Sequence, residues 1–204
     1  MIKARHIPFF VRFFSFYSQN GLKRQFHNVE FDCSINTEGR PVLLIGNHFS
    51  WWDGFIAYRL NDLCLHKKFH IMMLEEQLEN RLFLNKAGAF SIKRGSRSVV
   101  ESLHYASTLL HDEENMVAVY PQGTITSVHR RPVRFEKGAE RIIAGASDKL
   151  MILLYVALPD WYSEKRPGLT VRVIEYGVRE RSATDLEEVY NMFLEECITR
   201  QIPS

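Results

Sequence analysis

The chain has 204 residues, 46% hydrophobic and 25% charged, an ordinary globular balance that excludes a disordered chain and suits one domain with a sizeable core. A formal net charge of +2 excludes a general polyanion binder, and no nucleic-acid recognition motif is present. Cys33, Cys64 and Cys197 form no CxxC pair, which argues against a disulfide framework or zinc site and for a reducing compartment.

The chain opens on "MIKARHIPFFVRFFSFYSQNGLKRQF". Arg12 interrupts its apolar core, unlike a signal peptide, and it supplies roughly half of the ~20 apolar residues that a spanning helix needs. On a helical wheel Phe9, Phe13, Phe16 and Tyr17 share a side with Phe10 and Phe14, opposite Arg12, Ser15 and Gln19. Two readings stay open: an amphipathic helix lying in a membrane interface, or a first helix packed on the core. Charge is segregated along the chain. Lys3, Arg5, Arg12, Lys23 and Arg24 precede the first acid, Glu30, while residues 180–196 hold Glu180, Asp185, Glu187, Glu188, Glu195 and Glu196 against Arg181 alone. Such polarity fits a molecule that presents one end to an anionic surface.

Residues 26–32 alternate like a strand, 36–41 read as a turn, and 42–47 are a short apolar run typical of a buried parallel strand. A helix is expected from about Trp52 to Leu63, a second buried strand over 69–74, and a helical stretch to about Lys86. Residues 89–92 read as a third strand. The following amphipathic helix places Val99, Leu103, Ala106 and Leu110 on one face. Strands over 115–121, 150–158 and 169–177 alternate with a helix over 135–147. A last helix, begun by a Thr184 cap, closes the chain. Strands and helices alternate at the lengths of crossover units, which predicts an α/β fold: a single-domain, mixed, largely parallel sheet flanked by helices. Residues 1–25 form the N-terminal amphipathic helix and 26–204 the α/β domain. No repeat or low-complexity linker divides it.

In open α/β sheets, sites form beyond the carboxyl ends of the strands. The loops there are "NHFSWWDG", "KRGS", "PQGTITSVHRRP" and "PDWYSEKRPG", expected to converge on one face. His48 and Asp53 lie five residues apart, which on one helix would separate them by about 140°. They meet only if His48 sits on the strand-exit turn and Asp53 near the next helix start. A histidine is then a suitable general base for an alcohol, and a carboxylate on its other nitrogen fixes the tautomer. The structural alternatives are a merely packed or capping histidine and plain turn chemistry at Asp53-Gly54. Half a metal site lacks a third ligand at diagnostic spacing. Arg94, beside Gly95 and Ser96 at a helix start, is a candidate anion clamp.

Taken in order, "NHFSWWDG" (47–54), "GAFSIKRGS" (88–96), "VYPQGTITS" (119–127) and "ILLYVALP" (152–159) resemble four motifs of the glycerolipid acyltransferase family. These are the 1-acylglycerol-3-phosphate acyltransferase-like enzymes with an NHxxxxD signature. The resemblance spans about residues 42–159. It implies that His48 is the general base, Asp53 its orienting partner, Arg94 a ligand for the acceptor's phosphate, and Gln122, Gly123 and Thr124 the acceptor-binding third motif. That motif usually reads Phe-Pro-Glu-Gly-Thr-Arg-Ser; here Gln122 replaces the glutamate and Ile125 the arginine. Gln can donate where Glu only accepts, and a phosphate ligand is lost at 125. His129, Arg130, Arg131 and Arg134 either compensate or form a solvated basic patch.

The resemblance implies an O-acyltransferase that moves a fatty acyl group from acyl-CoA or acyl-carrier protein to the hydroxyl of a lysolipid. The acceptor is 1-acylglycerol-3-phosphate or a related lysolipid. No resident cofactor is implied, and the enzyme is peripheral on the cytoplasmic face of a membrane. The alternatives are an acyltransferase for an amino-acid-type lysolipid and a catalytically inactive lipid-binding protein.

Overall fold

A computed structural model of the chain describes residues 1–95, 98–177 and 183–201, the side chains of 183–185 aside. The apolar runs become seven strands: β1 (Val29–Asp32), β2 (Val42–Gly46), β3 (Lys68–Leu74), β4 (Ala89–Ile92), β5 (Asn115–Val119), β6 (Met151–Asp160) and β7 (Gly168–Tyr176). They form one sheet in the order β1-β7-β6-β2-β5-β3-β4. Only β6 and β7, joined by a short loop, pair antiparallel; the remaining pairs are parallel. Central β2 and β5 are buried along their whole length, which is why they read as unbroken apolar runs.

The helices are α1 (Pro8–Gln25), α2 (Asp53–Leu60), α3 (Glu75–Glu79), α4 (Leu82–Asn85), α5 (Ser98–Leu109), α6 (Ala139–Ala144) and α7 (Ala183–Gln201). They cover both faces of the sheet. Val42 and Leu44 of β2 join a core under α1 and α2 with Phe14, Leu22 and Phe55. Leu43 and Ile45 point the other way, to a core with Leu103, Ala106, Ile142, Tyr190 and Phe193 of α5, α6 and α7. Each such fully buried aliphatic or aromatic side chain contributes about 1.5–3 kcal/mol relative to exposure.

Three elements differ from the pattern in the sequence. The helical stretch before Lys86 is split in two, because Arg81 leaves helical backbone geometry at φ −143°, ψ 50°. The helix expected over 135–147 shrinks to α6, since the backbone before it is recruited elsewhere. There the Phe135 N–H donates to Glu187 at 2.8 Å and the Glu136 N–H to the Pro121 carbonyl at 2.7 Å. Finally, α2 runs into a π-helical turn, Asn61–Leu65. The Thr184 cap lies outside the described side chains, and Ser96 outside the described residues.

Helix α1 divides the aromatic side seen on the wheel. Phe14, 7% exposed, packs on Phe55 and Tyr58 and shares its buried stripe with Ser18 and Leu22. Phe9, Phe13, Phe16 and Tyr17 stay exposed, Phe9 at 71%. The segment before α1 lies along α4 and β4, with Ser91 N–H bonded to the Ile2 carbonyl and Arg5 N–H to the Asn85 carbonyl. Among the described residues no helix is long and apolar enough to cross a membrane.

Candidate active site

The site begins where β2 ends. The Tyr155 ring lies so close over Gly46 that any Cβ there would collide with it. Asn47 then continues the ladder with its side chain: Nδ2 donates to the Ala157 carbonyl at 2.8 Å and Oδ1 accepts the Ala157 N–H at 2.9 Å. This frees the backbone to turn outward, and His48 stands on the turn.

Asp53 is the first residue of α2 and is 1% exposed. Its Oδ2 accepts three hydrogen bonds, from His48 Nδ1 at 2.7 Å and from the Phe49 and Ser50 N–H groups at 2.8 and 2.9 Å. The histidine and aspartate thus meet through the strand-exit turn that their spacing requires. With Nδ1–H donating to the carboxylate, the lone pair of Nε2 is left for proton transfer. Oδ1 of Asp53 is buried without a hydrogen-bond partner among the described residues. Burial pushes the Asp53 carboxyl above its ordinary range; the hydrogen bonds from His48, Ser50 and Phe49 pull against it.

Two further residues hold His48. The Tyr120 ring stacks on the imidazole, with centroids 4.7 Å apart and planes 18° from parallel. Tyr155 donates to the Tyr120 hydroxyl at 2.9 Å, and Tyr190 donates to the Tyr155 carbonyl at 2.9 Å. Gln122 grips the backbone: its Oε1 accepts the His48 N–H at 2.6 Å, and its Nε2 donates to the Thr126 hydroxyl. Thr126 N–H returns a bond to the His48 carbonyl at 2.9 Å. This amide uses both of its functions, an arrangement in which a glutamate would lack the donor.

A cavity of about 400 Å³ opens beside His48. Its walls are mostly apolar and include Phe69, Ile71, Met73, Leu84 and Ala89; its polar groups include Ser50, Arg94, Thr124 and Glu136. His48, Arg94, Gly123 and Thr124 line it, whereas Asp53 and Gln122 do not. Gln122, expected to bind the acceptor, instead faces the His48 loop. Gly123, with φ +65°, closes a turn whose N–H donates to the Tyr120 carbonyl at 2.9 Å. That amide is therefore engaged within the turn and does not point to an acceptor. A Cβ at Gly123 would collide with Arg94 and Glu136; these two are bonded to each other at 2.6 Å.

The fourth loop does not join this cavity. Pro159, Asp160 and Tyr162 line a smaller one of about 220 Å³ with His129 and Arg131. None of the downstream arginines, Arg130, Arg131 and Arg134, lines the cavity beside His48. Arg134 pairs with Glu187 at 2.8 Å and Arg131 lies 3.5 Å from Glu195, both acids on α7. The basic loop and the acidic C-terminal helix thus neutralise one another in part. Asn47, Tyr120 and Glu136 have roles here that the sequence pattern does not point to. Asn47 had a signal in its place beside His48; the others act through tertiary contacts. Among the described residues no group of three His, Cys, Asp or Glu side chains is placed to hold a metal ion.

The family model described as "Acyltransferase" matches residues 24–157. The search of curated proteins returns no match. Among solved structures, the fold is similar to the crystal structure of the 1-acyl-sn-glycerophosphate acyltransferase PlsC from Thermotoga maritima. The TM-score is 0.64 at 15% identity, covering 94% of this chain and 78% of that one.

Proposed function

The chain belongs to the acyltransferase family, and from that premise we propose that it transfers a fatty acyl group from an acyl thioester to the hydroxyl of a lysolipid. The donor is acyl-CoA or acyl-carrier protein, and the acceptor is 1-acylglycerol-3-phosphate or a related lysolipid. The observation that carries this reading is the 2.7 Å bond from His48 Nδ1 to a buried carboxylate, with His48 itself in the wall of a mostly apolar cavity. It supplies a base and a place for an acyl chain side by side.

In the proposed reaction, Nε2 of His48 takes the proton of the acceptor hydroxyl as its oxygen attacks the thioester carbonyl. Asp53 stabilises the imidazolium that forms and holds the ring in its tautomer. Collapse of the tetrahedral intermediate breaks the carbon–sulfur bond. The departing thiolate takes the proton from His48, so ester and thiol leave and the base is restored. No serine or cysteine nucleophile is required. Arg94 is the cation in the cavity wall suited to an anionic head, and Gln122 fixes the His48 loop against the Thr126 turn.

The same reading places the enzyme peripherally on the cytoplasmic face of a membrane. Ring contacts run without a break from Phe13 to Tyr17, to Phe55, to Trp51, with Arg81 stacked on Trp51 at 4.5 Å. Phe9, Phe16, Leu82 and Phe83 are also exposed, and Trp51 and Phe55 line the cavity as well. Exposed aromatics with flanking cations, packed on buried Phe55, suit a headgroup layer, and the cavity lining reaches them at Trp51. The test is to incubate the protein with labelled acyl donors and a panel of lysolipids and to follow products by mass spectrometry. Diacyl product is expected; its absence from every donor–acceptor pair contradicts the reading.

A further inference from the structure

His48 aside, the charged residues in the cavity wall are, among the described residues, Arg94 and Glu136, and they bind each other. Arg94 Nη2 donates to Glu136 Oε1 at 2.6 Å across Gly123, where the missing side chain leaves room for both. Glu136 is held from behind by its backbone N–H on the Pro121 carbonyl at 2.7 Å. Ile125, in the same wall, adds no charge. The polar part of this cavity therefore offers one cation and one anion, with no net charge among the described lining residues.

That arrangement discriminates between heads. A guanidinium has five N–H donors, so Arg94 can take an anionic oxygen while still holding Glu136. A dianionic phosphomonoester bound there would face the Glu136 carboxylate at close range. A head with an ammonium beside its anion would satisfy both members of the pair. We propose that Glu136 is a specificity-determining residue of the acceptor site, disfavouring dianionic heads and favouring acceptors that carry a cation next to their anion. This rests on the acyl-transfer reading above and narrows its acceptor class.

Glu136 is 60% exposed and Arg94 42%, and ion pairs of that kind add little to stability, so variants at Glu136 fold. One unit charge a few ångströms from a bound phosphate, in partly hydrated surroundings, changes relative affinity by roughly tenfold. The experiment compares kcat/KM for 1-acylglycerol-3-phosphate and 1-acylglycerol-3-phosphoethanolamine of equal chain length, in wild type, Glu136→Gln and Glu136→Lys. Wild type is expected to favour the ethanolamine head. Glu136→Gln should move the ratio roughly tenfold toward the phosphomonoester, and Glu136→Lys further still. Added salt should shrink the difference, because the site is partly hydrated. A ratio that stays put in both variants, or a wild type that prefers the phosphomonoester, overturns this inference and leaves the acyl-transfer reading standing. Absence of transfer to any lysolipid overturns both.

Discussion

Two histidines of one sheet, one just past the end of β2 and one within β3 on the far side of β5, show how surroundings assign a side chain its work. His48 stands half-buried on the turn after β2, its Nδ1 on a carboxylate and its ring stacked on Tyr120. His70 lies inside β3, buried, with Nε2 3.2 Å from Asn115 Oδ1 and Nδ1 without a partner among the described residues. Among the described residues no carboxylate hydrogen-bonds to it, and the His6 ring packs edge-on against it at 4.7 Å. Burial pushes the His70 imidazole down to about 4, and the charges of His6 and Lys68 press the same way. One histidine is placed to gain and lose a proton beside a cavity; the other is kept neutral as packing material.

The comparison is sharpened most by Asp53→Asn, which leaves the shape of the His48 site but removes its charge. Transfer activity should fall by roughly 10³-fold, because the imidazolium loses its counter-charge and the tautomer is no longer fixed. Its stability should also lose one pH dependence. The folded-state pKa of Asp53 is raised, so the folded chain holds this proton more tightly than the unfolded one, and ionisation costs stability as pH rises above the unfolded carboxyl value. The neutral amide removes that dependence, and a variant whose stability still falls with pH over that range as wild type does would contradict the account of Asp53.

His70 predicts the opposite pH dependence. The unfolded chain takes up this proton near 6.5, the folded chain only near 4. Between those values the unfolded state binds more protons, so stability is full above about 6.5 and is lost as pH falls. The loss from this residue is on the order of 3–4 kcal/mol when complete. Urea titrations between pH 7 and 4 should show that decline in wild type and a flatter one in His70→Gln. Parallel curves would contradict the role of burial there. The smallest effect is expected at Gln122. Gln122→Ala should lower kcat by roughly tenfold with little change in acceptor KM, since it frees the His48 loop without touching the cavity wall. A rise confined to KM would return Gln122 to the acceptor site.

Much of this architecture is legible in the sequence because its signals are local. Buried parallel strands read as apolar runs, and β2, β3, β5 and β6 fall where those runs lie. His48 and Asp53 are legible together because the turn that unites them is itself short. What could not be read depends on partners far along the chain. Arg94 looks like a free cation until Glu136, 42 residues on, is folded against it. Arg134 looks like a candidate phosphate ligand, yet the fold pairs it with Glu187 and keeps it out of the cavity wall. The periodicity of α1 groups Phe14 with Phe13 and Phe16, yet Phe14 alone of the three finds Phe55 and Tyr58 beneath it. Gln122 looks like a substitution in an acceptor motif, whereas its amide bridges His48 and Thr126.

The central claim is that His48 removes the acceptor's proton, and single-turnover acyl transfer with a labelled donor and saturating lysolipid measures that step most directly. Replacing His48 with alanine should slow the chemical step by about 10⁴-fold while the protein still melts cooperatively. A His48→Ala protein that transfers acyl groups at the wild-type rate would contradict it.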